Sequence, residues 1–162
     1  MKIIPLTKGK HVVLDDCDYE ALVDVKWYAL TTASGNIYAA RSMGKGKGVV
    51  LMHRLIMGNP KGKFVDHIDR DTLNNRRSNL RICTTSQNTM NSAKGSMKCS
   101  SRFKGVSFDK WTLNKVNKWR SCIWKDGRFN HIGHFLTQED AAKAYNKKAM
   151  ELFGEFAYMN DL

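Results

Sequence analysis

Long apolar runs are missing from this 162-residue sequence. With them goes any helix able to cross a bilayer, which needs roughly 20 consecutive apolar residues. The opening residues Met1-Lys2-Ile3-Ile4-Pro5 are too few and too polar for a secretion signal. Cysteine is scarce: Cys17, Cys83, Cys99 and Cys122 make no C-x-x-C pair and no zinc spacing. Such a set reads as reduced thiols in a cytoplasm rather than as a disulfide framework. Acidic residues are few beside the bases, 15 Asp and Glu against 27 Lys and Arg, leaving a formal charge of +12 and a pI near 9.7. That excess asks for a polyanionic partner, and duplex DNA, RNA and anionic lipid all remain open to it. The length allows one or two small domains.

What is present begins with short strands. Ile3-Ile4-Pro5-Leu6 and His11-Val12-Val13-Leu14 flank Thr7-Lys8-Gly9-Lys10, a glycine-containing hairpin signal. Asp15 or Asp16 is placed to cap a helix over Asp18 to Val25, with Tyr19, Leu22 and Val23 at i, i+3, i+4 spacing. Residues 26–30 and 36–40 flank Ala33-Ser34-Gly35 as a second hairpin, and Arg41 to Gly48 reads as a flexible basic loop. Met52 to Gly58 suggests one or two helical turns with a glycine end, followed by a turn over Gly58 to Lys63.

The densest chemistry lies between Phe64 and Asn88. Phe64-Val65 and Ile68 mark a short strand carrying Asp66-His67, a polar loop runs from Asp69 to Ser78, and Leu80-Arg81-Ile82-Cys83 forms a second strand. Thr84 or Thr85 then caps a helix bearing Asn88 and ending near Asn91 to Gly95. Asn79 follows His67 by twelve positions (79 − 67) and Asn88 follows it by twenty-one (88 − 67). Side chains of adjacent strand residues point to opposite faces, so Asp66 and His67 share a site only if the strand ends there. A turn-rich, asparagine-rich hairpin with an incidental Asp-His is the plainer alternative.

These residues and intervals resemble the HNH nuclease signature, whose ββα fold holds one divalent metal. The resemblance implies Asp66 and Asn88 as metal ligands and His67 as the base that activates water. It gives Asn79 a structural, orienting role, with its amide tying the loop. An ordinary imidazole is about three-quarters or more neutral at pH 7, as a base must be. Two oxygen donors suit Mg²⁺, or Mn²⁺, better than zinc. His53, in a His-Arg-Leu segment usual upstream of such a strand, is a second imidazole for direct chemistry or, more simply, an orienting group. Arg76, Arg77 and Arg81 are candidate DNA contacts around the site, as is a merely solvated role for each.

From Phe103 the pattern changes. Residues 103–108, 118–124 and 128–135 read as three strands, the last two joined by Asp126-Gly127, and Thr137-Gln138-Glu139-Asp140 caps a helix reaching about Phe153 and Gly154. Parity sends Trp119, Ser121 and Ile123 toward that helix and Arg120, Cys122 and Trp124 away from it. Lys104-Gly105-Val106, Lys118-Trp119, Ile132-Gly133-x-Phe135, Glu139-x-Ala141-Ala142-x-Ala144-Tyr145 and Gly154-Glu155-x-Ala157-x-x-Asn160 resemble the DNA-binding domain of Apetala and ethylene-response factors. That resemblance implies a sheet face entering the major groove. Lys104, Arg120, Trp124, Phe129 and His131 are the candidates on it. Ser107, Asp109, Trp124 and Phe129 stand where plant members carry base-reading arginines, and Thr112 to Asn117 is an insertion, so the plant target sequence does not carry over.

The expected class is α+β: a β-rich leader with an HNH nuclease module over 1–91 (core about 52–91), a linker over 92–101, and a three-stranded antiparallel sheet packed on one helix over 102–162. The expected function is a site-selecting, homing-type endonuclease on double-stranded DNA. It would use one divalent metal, in the cytoplasm of a bacterial host if phage-encoded, and nick unless a homodimer forms on the DNA. A DNA-binding regulator with an inactive nuclease module, or an RNA-binding protein, are the rival readings.

Overall fold

A computed structural model describes residues 1–94, 100–111, 116 and 118–162. The chain divides into two compact units, Met1–Asn88 and Thr89–Leu162.

In the first unit, β1 (Lys2–Pro5) and β2 (His11–Leu14) pair antiparallel. Lys8 and Gly9 at the turn both take left-handed φ, 60° and 63°, the backbone that matches the twist of two strands joined by a tight turn. Helix α1 spans Asp16–Leu22, earlier and shorter than the apolar spacing suggests. Asp15 stands at its N-cap without capping it, because Asp15 Oδ2 accepts the Arg77 backbone N–H at 2.8 Å instead. Next come β3 (Tyr28–Thr31), β4 (Ile37–Ser42) and β5 (Val49–Leu51), an antiparallel sheet in that order. The basic loop expected from Arg41 is therefore shorter: Arg41 and Ser42 extend β4 and pair with Val50 and Val49.

Helix α2 (Met52–Ile56) leads through left-handed Gly58 and Asn59 into β6 (Phe64–His67). Arg54 fastens this turn by donating to Asn59 Oδ1, Pro60 O and Lys63 O. β6 pairs antiparallel with β7 (Leu80–Cys83), and α3 (Thr85–Asn91) follows. The α3 cap is reciprocal, Gln87 N donating to Thr84 Oγ1 while Thr84 N donates to Gln87 Oε1. Strand, loop, strand and helix thus occur in the expected order. Val65 and Leu80 share one buried cluster with Ile4, Val12, Leu14, Trp27, Ala39 and Met52. The leader supplies most of that core, which a hairpin of eight strand residues lacks on its own.

In the second unit, β8 (Val106–Phe108), β9 (Trp119–Lys125) and β10 (Arg128–Phe135) form an antiparallel sheet of order β10-β9-β8. Asp126 and Gly127 turn the hairpin with φ 50° and 73°. Helix α4 (Gln138–Phe153) is capped by Thr137 Oγ1, which accepts the Asp140 N–H, and ends at Gly154. Ala141, Ala142, Tyr145 and Ala149 pack against Phe103, Val106 and Ile123, so the small alanines let helix and sheet approach. Asn160 closes the unit, its side chain bridging the Lys104 N–H and C=O while its backbone pairs with Asn146. Residues 95–99, which include Cys99 and part of the expected linker, and residues 112–115 and 117 of the expected insertion lie outside the described residues. The three cysteines within them, Cys17, Cys83 and Cys122, are free thiols. No helix among the described residues is long and apolar enough to cross a membrane.

Candidate active site

The site grows from the place where β6 stops. His67 is its last residue and is 4% exposed; Asp66 beside it is 8% exposed. Burial of two polar side chains in sequence demands partners on both faces of the strand. Asp66 finds Arg81, its cross-strand neighbour on β7, whose Nε and Nη2 both donate to Oδ2 at 3.0 and 2.8 Å. His67 turns to the opposite side and meets Asn75, with Nε2 and Oδ1 at 2.8 Å. Around the His67 ring stand His53, edge-on at 4.9 Å between centroids, and Tyr38 at 6.2 Å.

Asn75 is fully buried, and its position is fixed from far away in sequence. Its N–H donates to Val13 O at 2.7 Å, and Val13 N–H donates to Leu73 O at 2.9 Å. The loop between β6 and β7 is thus stitched to strand β2. Within the loop, the Asn79 amide accepts the Asp69 N–H and donates to Asp69 Oδ1 and Asn74 O, and the Asn79 backbone carbonyl takes the Ile68 N–H. One buried amide therefore closes the loop on both sides. Arg70 at φ 69° makes the reversal after Asp69.

Electrostatics follow from this burial. Desolvation pushes the His67 pKa below its ordinary 6.5; the hydrogen bond to Asn75 Oδ1 and the charges of Asp69, Asp66 and Asp71 pull the other way without cancelling it. His53 falls further, to about 3, through burial first and then His67 and Arg54. Both imidazoles are neutral at pH 7. Burial raises the Asp69 pKa, but bonds from Asn74, the Asp71 amide and Asn79 outweigh it, and the carboxylate stays ionised. The Tyr38 phenol is pushed up, mainly by burial.

The other predicted residues are placed as follows. Asn88 lies in α3, half-buried, with its backbone N–H on Thr84 O. Arg81 spends its guanidinium on Asp66 rather than on solvent, and Arg77 grips Asp18 through Nε and Nη2 at 2.8 and 2.6 Å. Arg76 donates to Asn74 Oδ1. Each of the three guanidiniums thus pairs with a carboxylate or amide of the fold, Arg81 from a buried position and Arg77 from an exposed one. Sequence reasoning missed Asn75 and Tyr38. Asn75 carried a signal only as one of two adjacent turn asparagines, and its partner was visible only after folding. Among the described residues no three His, Cys, Asp or Glu side chains gather as a metal-holding group.

In the second unit, the outer sheet face carries Trp124 and Phe129 as a cross-strand pair at 5.3 Å, then Cys122 opposite His131, then Arg120 opposite His134. Lys104 is turned inward, its ammonium on Met90 O and Ser92 O.

Residues 50–90 match the HNH endonuclease family, so the chain carries an HNH endonuclease domain. The chain is 40% identical over 105 residues to an HNH endonuclease of Acanthamoeba polyphaga mimivirus, 64% of this chain and 50% of that protein. It is 32% identical over 98 residues to Protein 3.8 of Escherichia phage T7, 60% of this chain and 76% of that protein, and belongs to the same family. An AP2-like ethylene-responsive transcription factor of Arabidopsis thaliana is 35% identical over 75 residues, 46% of this chain and 15% of that protein. The chain spans about half the length of the mimivirus relative. No solved structure matches it.

Proposed function

We propose that the chain is a metal-dependent DNA endonuclease of the homing type, in which His67 takes the proton of the attacking water. The observation that carries this reading is the state of His67. It is buried, uncharged at neutral pH, and held at 2.8 Å by an amide that is itself fully buried. A general base needs a fixed ring and an available lone pair, and positioned proton transfer contributes roughly 10²–10⁴-fold. If Asn75 offers Oδ1, then Nε2 carries the hydrogen and Nδ1 is the basic atom. Asn79 keeps the loop closed, so that the peptide after His67 cannot shift away. His53 and Tyr38 pack on the ring as neutral neighbours and keep bulk water from it.

A divalent ion fits the chemistry of the donors rather than a ready-made cluster. Asp66 and Asn88 bring oxygen only, and a hard cation such as Mg²⁺ or Mn²⁺ that keeps several waters is the match. When bound, it would supply positive charge for the phosphoryl oxygens and the leaving group. Arg81 compensates the burial of the Asp66 carboxylate by donating twice to Oδ2.

The second unit positions the DNA, while the basic excess that attracts it is shared by both units, 13 Lys and Arg against 7 Asp and Glu in residues 89–162 and 14 against 8 in residues 1–88. One catalytic centre per chain cuts one strand, so the product is a nick unless two chains act together. The reading is tested by incubating end-labelled duplex with the protein in Mg²⁺ or in EDTA and mapping the ends. Nicks with 5′-phosphate and 3′-hydroxyl ends, formed in Mg²⁺ and absent in EDTA, support it. A protein that shifts duplex without ever cutting it favours a regulator, and preference for structured RNA at the same salt favours an RNA-binding protein.

A further inference from the structure

We infer that the outer face of the C-terminal sheet is a stacking platform for unpaired bases of single-stranded DNA. This rests on the reading of the chain as a DNA nuclease and names the form of DNA that this face takes. The inner face is spent: Ser121 and Ile123 are buried, and α4 covers them. The outer face is exposed at its turn end among the described residues. There Trp124 is 63% exposed and Phe129 47%, with their rings at 65° to one another. Large aromatics displayed side by side on a sheet are costly to leave in water, and such a pair marks a binding surface.

The row continues along the strands. His131 and His134 lie 4.9 Å apart, and Asp109 holds the far end by accepting from the Trp111 N–H and pairing with His134 Nε2 at 3.0 Å. Trp111 there is 90% exposed. Between Arg120 and Trp124 the strand advances roughly 13 Å. That is room for two or three bases on a sheet of this kind.

Two features select the occupant. Lys118 and Arg120 share the strand parity of Trp124, and Lys110 stands beside Asp109 at the end of the row, which suits a phosphate chain. Yet this face is poor in groups that read base edges in a duplex. Phe has no donor, Trp has one, His131 adds a single exposed imidazole and His134 is held by Asp109, and the Arg120 guanidinium donates through Nη2 to Ser107, with Nε buried and without a hydrogen-bond partner. Base faces are what aromatic side chains bind, and a duplex hides those faces in its stack. Stacking on an aromatic contributes about 1–3 kcal/mol per base.

The test is fluorescence anisotropy on the full chain in EDTA at fixed salt. The probes are a labelled 20-mer of thymidine, a 20-base-pair duplex, and the uridine RNA of the same length. The thymidine strand should bind more tightly than the duplex. Trp124→Ala with Phe129→Ala should cut that affinity at least about 10-fold and the duplex affinity much less. Trp124→Tyr with Phe129→Tyr, which keeps flat rings, should retain it. Duplex bound as tightly as the single strand, equal losses on both, or a double-alanine variant that binds thymidine normally would each overturn the inference, and RNA preferred over DNA would overturn the choice of strand. Nicking in Mg²⁺ is read separately. Its absence would refute the nuclease reading and leave these affinities standing.

Discussion

Asn75 shows how much a single side chain can decide. Replacing it by Ala removes the acceptor facing His67 Nε2 and opens a space beside the ring. Stability should fall by about 1–3 kcal/mol, the cost of an unpartnered buried polar group, and nicking should fall further than folding explains. Asn75→Asp tests the electrostatics. A carboxylate on the ring favours imidazolium, so the His67 pKa should rise and the acid limb of a nicking-against-pH profile should move to higher pH. Gly105 is decisive in the other unit. Its φ is +74°, and a Cβ there would lie 2.1 Å from Tyr145 Cδ2 and 2.6 Å from Cys122 O. Gly105→Ala should cost about 2–5 kcal/mol, combining left-handed strain with overpacking, and lower the urea midpoint of the C-terminal unit.

At the scale of elements, the β6–β7 hairpin is held by a buried ion pair. Arg81→Met leaves Asp66 charged without its partner, and breaking such a pair from one side costs about 3–5 kcal/mol. Denaturant titration should show that loss. Helix α2 contributes His53, whose pKa lies at about 3 in the fold against 6.5 ordinarily. The unfolded chain therefore binds a proton between those values that the folded chain does not. Stability is full above pH 6.5 and declines as pH falls toward 3, by up to about 1.4 kcal/mol per pH unit for this group. His53→Leu should flatten that decline in denaturation midpoints measured from pH 7 to pH 4, while an unchanged slope would contradict the burial account.

These elements also show what could be read beforehand. The two hairpin turns announced themselves through Gly9, Asp126 and Gly127, residues that tolerate left-handed φ, while Lys8 takes that φ without announcing it. The split of Ser121 and Ile123 from Trp124 followed from strand parity. Strand β5 did not show, because three residues after a glycine-rich loop become a strand only by pairing with Arg41 and Ser42. The partners of the arginines did not show either. Arg77 finds Asp18 across 59 positions, and Asn75 finds Val13 across the fold. Motif spacing records which residue types recur; it does not record which distant backbone holds them in place.

For the whole molecule, the charge of +12 divides evenly: residues 1–88 carry 14 bases and 8 acids, residues 89–162 carry 13 and 7. Both halves are therefore attracted to phosphate. Binding to duplex should weaken with salt, the log-log slope steepening by roughly 0.9 per phosphate neutralised. A slope near zero would remove the polyanion from the account.

The central claim is that a neutral, buried His67 activates water. Its most direct measurement is the rate at which supercoiled plasmid becomes open circle in Mg²⁺, for the native chain and for His67→Ala purified alongside it and shown to melt cooperatively. The account predicts nicking by the native chain, reduced at least about 100-fold in the variant. Equal rates from the two proteins would contradict it.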